Sequence, residues 1–136
     1  MSAQSKVLIV EDNYLNLKLF HDLLIIQKYV VITSKNGIGI PAIVELERPN
    51  LILMDIQLNG VSGIDIIKEL KNDPTTSFIP VIAVTAFAMK NDEAKISASG
   101  CDMYLPKPVS IDLFFQTLHK FIKPYTDINI NDNSGN

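Results

Sequence analysis

Leu51-Ile52-Leu53-Met54 is a run of four large apolar residues, preceded by Pro49-Asn50 and closed by Asp55. The run is too short for a helix and has no polar face. It therefore predicts a strand buried on both sides, the kind found in parallel sheets covered by helices on each face. Asp55 then stands at the carboxyl end of that strand, ahead of a loop carrying Gly60 and Gly63. Open α/β sheets bind their ligands at that edge. Taken alone, Asp55 reads equally well as a turn or helix-capping aspartate.

The rest of the chain repeats the pattern. Lys6–Val10 is a second buried-strand run that ends on Glu11-Asp12, and Asn13 is placed to cap a helix with Leu19, Phe20, Leu23 and Leu24 on one face. Tyr29–Thr33 reads as a strand. Ile38–Glu47 reads as a helix, since Pro41 is tolerated only in a first turn. Ile64–Lys71 forms a helix using Ile66, Ile67 and Leu70, and Ile79–Val84 is the next strand, ending at Thr85. A weakly apolar helix over Asp92–Ala98 is stopped by Gly100. A strand over Met103–Leu105 leads into Pro106-Lys107-Pro108, and Ser110 or Asp112 starts a last helix using Leu113, Phe114, Leu118, Phe121 and Ile122. Five strands alternating with five helices predict a doubly wound α/β domain with a parallel sheet.

Composition limits the alternatives. The 136 residues suit a single domain, and a net charge of -3 with no block of Lys or Arg argues against binding nucleic acid or anionic membranes. No run approaches a membrane span, and Met1–Ser5 is too short and polar for a signal peptide, so a cytoplasmic protein is expected. Cys101 is the only cysteine, which excludes an internal disulfide and a cysteine-cluster metal site; it reads as reduced and mostly buried. The domain is expected over 6–123, between a disordered stretch 1–5 and a polar, Asn-rich disordered tail 124–136.

Four strand ends deliver Glu11-Asp12, Asp55, Thr85 and Lys107 to one edge. Three carboxylates converging there repel one another, and a hard divalent cation relieves the repulsion. Mg2+ fits best, with Asp12 and Asp55 as direct ligands, Gln57 offering its backbone carbonyl and Glu11 standing behind them. Mn2+ is expected to substitute. A metal and the Lys107 ammonium flanking one carboxylate form a clamp for a transferring phosphoryl group, with the Thr85 hydroxyl as a third contact and Asp55 as the nucleophile.

Val10-Glu11-Asp12-Asn13, Met54-Asp55-Ile56-Gln57, Gly60 to Gly63, Val84-Thr85-Ala86 and Lys107-Pro108 occur in the order and spacing of a known family. Over about Lys6–Lys123 the chain resembles the receiver domains of two-component response regulators. The runs Leu17–Leu24 and Thr85–Lys90 look like its single-domain, cell-division members. The resemblance implies a flavodoxin-like (CheY-like) sheet of strand order 2-1-3-4-5. It also implies that Asp55 accepts phosphate from a sensor histidine kinase or histidine phosphotransfer protein, that Thr85 and Tyr104 form a switch pair, and that the Lys107–Pro108 bond is cis. Asn59 departs from the pattern, standing where the family usually has proline, although Asn59-Gly60 still suits a turn.

Other readings stay open at this level. A haloacid-dehalogenase-type phosphatase would carry a second Asp two residues after the nucleophile, where this chain has Gln57, so a stored phosphoryl group fits better than turnover and no enzyme activity is expected. A receiver-fold module that is never phosphorylated would be expected to lack Asp12, Asp55 or Lys107. Nucleotide or flavin binding lacks a phosphate-cradling glycine loop after the first strand. His21 and His119 lie in helical patterns with no acid partner evident, and Phe87 and Met89 read as core. Output is expected through protein targets, with Tyr14, Leu15 and Lys18 of the first helix and the Pro108 loop meeting the kinase.

Overall fold

The structure, a computed structural model, describes residues 4–86 and 90–124, with Lys90 and Asn91 by backbone alone. The tail beyond Pro124 lies outside the described residues, as do Phe87 and Met89. Ser5 already belongs to the fold, because its carbonyl accepts the Val30 N–H at 2.9 Å.

The elements in chain order are β1 (Lys6–Val10), α1 (Tyr14–Ile26), β2 (Val30–Ser34), α2 (Ile40–Glu47), β3 (Leu51–Asp55), β4 (Gln57–Leu58), β5 (Val61–Ser62), α3 (Gly63–Asn72), β6 (Val81–Thr85), α4 (Lys90–Ala98), β7 (Met103–Pro106) and α5 (Ile111–Leu118). The main sheet is wholly parallel in the order β2-β1-β3-β6-β7. That is the expected 2-1-3-4-5 once β4 and β5, a two-residue antiparallel pair in the loop after β3, are set aside. No helix among the described residues is long and apolar enough to cross a membrane.

Strand alternation splits the core in two. Val7, Ile9, Leu51, Leu53, Ile82 and Val84 face α1 and α5, where the Phe20 and Phe114 rings stack at 5.4 Å. Leu8, Val10, Ile52, Met54, Val81 and Ala83 face α2, α3 and α4. Both faces of β3 are covered, which is why its sequence is continuously apolar rather than alternating. α3 contributes Ile66, Ile67 and Leu70 to this layer, whereas among its described side chains α4 contributes Ile96 alone. Little buried area therefore holds α4.

Several boundaries differ from those read off the sequence, each for a local reason. α2 starts at Ile40 instead of near Ile38, because Gly39 adopts the left-handed conformation (φ 71°) before the helix. The fourth main strand begins at Val81 instead of Ile79, whose N–H is taken by the Thr76 carbonyl in a turn. β2 begins at Val30 because the Tyr29 N–H still closes the end of α1 on the Leu24 carbonyl. On α1 the inward positions are Leu17, Phe20 and Leu24, while Leu19 is exposed. Of the two candidates Ser110 and Asp112, Ser110 caps α5, accepting the Leu113 N–H at 3.0 Å, and Leu113 is largely exposed. Cys101 is half-buried with its thiol 3.4 Å from the Ile96 carbonyl, and burial pushes that thiol up.

Candidate functional site

Strand register brings the polar residues together. Val10 pairs with Met54, so the next residues, Glu11 and Asp55, emerge side by side; Asp55 pairs with Val84 and Thr85 with Pro106, which sets Thr85 and Lys107 on the same edge. Backbone bonds fix this level: Ile56 donates to the Val84 carbonyl at 3.1 Å and Lys107 to the Thr85 carbonyl at 2.7 Å. The Lys107–Pro108 bond is cis. Asn13 caps α1 through the Asn16 N–H at 3.0 Å, which holds the preceding acidic pair at the mouth of the helix.

Glu11, Asp12 and Asp55 each offer an oxygen, all within 4.8 Å of one another. Glu11 and Asp55 are buried, at 1% and 2% exposure, and Thr85 is fully buried. The Lys107 ammonium lies 3.3 Å from Glu11 Oε1 and 3.4 Å from Asp55 Oδ2. Asn13 N–H donates to Glu11 Oε2 at 3.2 Å, Gln57 N–H to Asp55 Oδ1 at 2.9 Å and Asn59 N–H to Asp12 Oδ2 at 2.9 Å. The Asn59 bond is one that proline could not make, so the departure noted in the sequence supplies a donor to the acidic cluster.

One cation shared among three carboxylates leaves the cluster electrostatically unbalanced. Burial, followed by the hydrogen bond and charge of Asp55, pushes the Glu11 carboxyl from 4.5 up to about 7, against opposing help from the Asn13 N–H and Lys107. Beyond the approach of the Lys107 ammonium at 3.3 Å, the buried Glu11 Oε1 has no hydrogen-bond partner among the described residues. An all-oxygen donor set with an unsatisfied buried carboxylate oxygen suits a hard divalent cation. Between about pH 4.5 and 7 the metal-free native state holds more protons on Glu11 than the unfolded chain, so its stability falls as pH rises through that window. Mg2+ is expected to offset this loss and to bind more tightly at pH 8 than at pH 6. Melting curves at both pH values, with Mg2+ and with chelator, check this; a Mg2+-induced rise in Tm at pH 6 equal to that at pH 8 would contradict it.

Tyr104 lies on β7 opposite Ala83, with its hydroxyl donating to Glu93 Oε2 of α4 at 2.6 Å, a contact that raises the tyrosine pKa. His21 and His119 are outside the cluster. His21 does have an acid beside it, Asp22 at 3.3 Å, which the helical reading did not anticipate; His119 stacks on Phe115. Sequence reasoning also missed the Gln57 side chain, whose Oε1 accepts the Ala86 N–H at 3.0 Å. The pairing of β3 with β6, continued by the Ile56 N–H on the Val84 carbonyl, sets that carboxamide beside the end of β6.

Comparison with known proteins points to one family. The chain is 49% identical over 116 residues to the polar-differentiation response regulator DivK of Brucella anthropi, covering 85% of this chain and 94% of that protein. DivK of Brucella ovis is 47% identical over the same shares. The receiver domain of a sensor histidine kinase from Pseudomonas aeruginosa PAO1, with a magnesium ion coordinated in its active site cleft, superposes with a TM-score of 0.80 at 28% identity, over 88% of this chain and 98% of that one. The chemotaxis response regulator CheY4 of Vibrio cholerae has the same fold, with a TM-score of 0.81 at 22% identity over 88% and 100% of the two chains. The family model of the response regulator receiver domain matches residues 7–119. With its parallel sheet and its acidic cluster facing one lysine, the chain belongs to the response regulator receiver domain family.

Proposed function

We propose that this chain stores a phosphoryl group on Asp55, taken from a phosphohistidine of a sensor histidine kinase or histidine phosphotransfer protein, and signals through protein contacts in cell-division control. The observation that carries the reading is the position of Asp55 between the Lys107 ammonium, 3.4 Å from its Oδ2, and the Glu11-Asp12 pair. In the transfer an Asp55 carboxylate oxygen forms the P–O bond as the donor's P–N bond breaks, and the released imidazole takes a proton from solvent. Lys107 meets the charge on the phosphoryl oxygens and the buried Thr85 hydroxyl is their third contact. Asp12, Asp55 and the Gln57 carbonyl would hold Mg2+, with Glu11 behind them, and Mn2+ would substitute. When bound, the metal supplies positive charge opposite Lys107. Gln57 is no general base, so hydrolysis of the acyl phosphate is slow and the protein signals rather than turns over substrate.

Thr85 moving toward the phosphoryl group frees space for Tyr104, whose release from Glu93 alters the face built by α4, β7 and α5. The thin packing of α4 on Ile96 supports its role as the moving part. Incubation with acetyl phosphate is expected to add one phosphoryl group by intact mass with Mg2+ and none with chelator. Addition that ignores chelation, or none from acetyl phosphate or phosphoramidate, would overturn the reading.

Kinase contact falls on the start of α1. Tyr14 and Leu15 are 65% and 73% exposed beside the acidic cluster, and Tyr14 also lines a cavity of about 300 Å³ with Lys18, His21 and Thr33. Leu15→Glu is expected to slow transfer from a phosphorylated kinase at least tenfold while acetyl phosphate labelling is unchanged. Equal slowing of both would mean damage to the site and no docking role.

A further inference from the structure

Gln57 bridges the carboxylate at the end of β3 and the backbone just beyond β6. Its N–H donates to Asp55 Oδ1 at 2.9 Å, while its side-chain Oε1 accepts the Ala86 N–H at 3.0 Å. Ala86 follows Thr85 at the carboxyl edge of β6, so its N–H is a backbone donor directly beyond the buried threonine. The other end of the same carboxamide is poorly served. Gln57 Nε2 is buried with no hydrogen-bond partner among the described residues. Natural structures seldom tolerate such a group without a reason, because an unmatched buried donor carries its full desolvation cost.

We propose that the Gln57 carboxamide occupies, in the resting protein, the seat at the Ala86 N–H that a phosphoryl oxygen takes when Asp55 is acylated, so that Gln57 acts as a built-in competitor whose displacement accompanies phosphorylation. This rests on the reading of Asp55 as the phosphoryl acceptor. The competition has a definite direction. An anionic phosphoryl oxygen accepts a hydrogen bond about twice as strongly as a neutral amide oxygen, so it wins the Ala86 N–H once the P–O bond has formed. Displacement also returns Nε2 to water and removes its unmatched burial. Before acylation, however, the occupied form predominates, and the apparent affinity for any phosphoryl-like group is reduced by the fraction of molecules in which the seat is open. Gln57 therefore sets how readily the site accepts a phosphoryl group through its side chain, separately from any metal contact by its backbone carbonyl.

Beryllofluoride, which mimics a phosphoryl group on a carboxylate, serves as the probe at saturating Mg2+. Gln57→Met keeps the bulk of the side chain and removes its hydrogen bonding. It is expected to bind beryllofluoride about fivefold more tightly than wild type, the equivalent of one net hydrogen bond. In the resting protein its Ala86 amide resonance is expected to move upfield and its hydrogen to exchange faster. Gln57→Glu places a charged acceptor on the same N–H and is expected to bind the anion more weakly than wild type. If Gln57→Met binds as wild type does, or leaves the resting Ala86 resonance in place, the carboxamide is only filling space and the inference is overturned while Asp55 phosphorylation stands. If wild type itself takes up neither beryllofluoride nor phosphate, the reading of Asp55 falls, and this inference with it.

Discussion

Asp55→Asn is expected to reduce phosphoryl labelling by acetyl phosphate or a phosphorylated kinase to background while leaving the protein folded. The amide offers no ionised oxygen to attack phosphorus. Glu11 also lies beside Lys107, at 3.3 Å, but Asp55 alone of the three carboxylates combines the Lys107 ammonium, 3.4 Å from its Oδ2, with the Gln57 N–H bonded to its other oxygen at 2.9 Å. The variant keeps nearly the same shape and an acceptor for that N–H, so packing is undisturbed. Its electrostatics improve. The charge and hydrogen bond of Asp55 are two of the causes that push Glu11 up to about 7, and removing them lets Glu11 ionise at lower pH. Without metal at pH 8, Asp55→Asn is therefore expected to melt at or above the wild-type temperature. Intact-mass spectrometry and a thermal scan on the same samples check both parts. Acid-labile label at wild-type level in the variant would remove Asp55 from its role.

Gly63→Ala is expected to give the largest loss of stability of any single-methyl change at the site. A Cβ at Gly63 would meet the Asp55 carbonyl oxygen at 2.4 Å and the Ile56 Cα at 2.5 Å, and both are backbone atoms that cannot swing away. Overpacking of this kind costs about 1–3 kcal/mol, and the rigidity of the contact puts Gly63 at the upper end. Alanine's better helix propensity offsets at most about 1 kcal/mol. For a domain of this size a net loss of about 2–3 kcal/mol lowers Tm by roughly 10 °C. The strain falls on the end of β3, so the rate of labelling at Asp55 is expected to drop as well. Gly60→Ala is the useful comparison: its Cβ meets nothing within 4 Å, and only the left-handed backbone (φ 76°) resists it. It is expected to lose roughly 1–2 kcal/mol and to label normally. A Tm for Gly63→Ala within 2 or so degrees of wild type, roughly the shift of under 1 kcal/mol, would show that the loop relaxes freely.

What the amino-acid order determines by itself is the sheet and the residues delivered to its edge. Lys6–Val10, Leu51–Asp55 and Val81–Thr85 are buried almost throughout, so their hydrophobic runs carry the strand signal directly, and the runs are broken by Glu11, Asp55 and Thr85. Alternation of such runs with amphipathic helices leaves few arrangements besides a doubly wound sheet. Boundaries set by local hydrogen bonding were less legible. The delayed starts of α2 and β6 depend on turns at Gly39 and Ile79, and the inward face of α1 depends on where Phe114 of α5 sits.

Tertiary structure alone decided the contacts within the site. Register between separate strands put Lys107 within 3.4 Å of both Glu11 and Asp55, residues 96 and 52 positions away in the chain. Burial at that junction, which no run of sequence records, raised the Glu11 carboxyl. The turn between β4 and β5 brought the Asn59 N–H to Asp12, and the β3–β6 register brought the Gln57 carboxamide to Ala86, contacts between residues 47 and 29 positions apart. Periodicity reports which side of an element faces the core, because that is a property of neighbours along the chain. Hydrogen bonds among strand ends depend on distances that only the closed sheet brings into being.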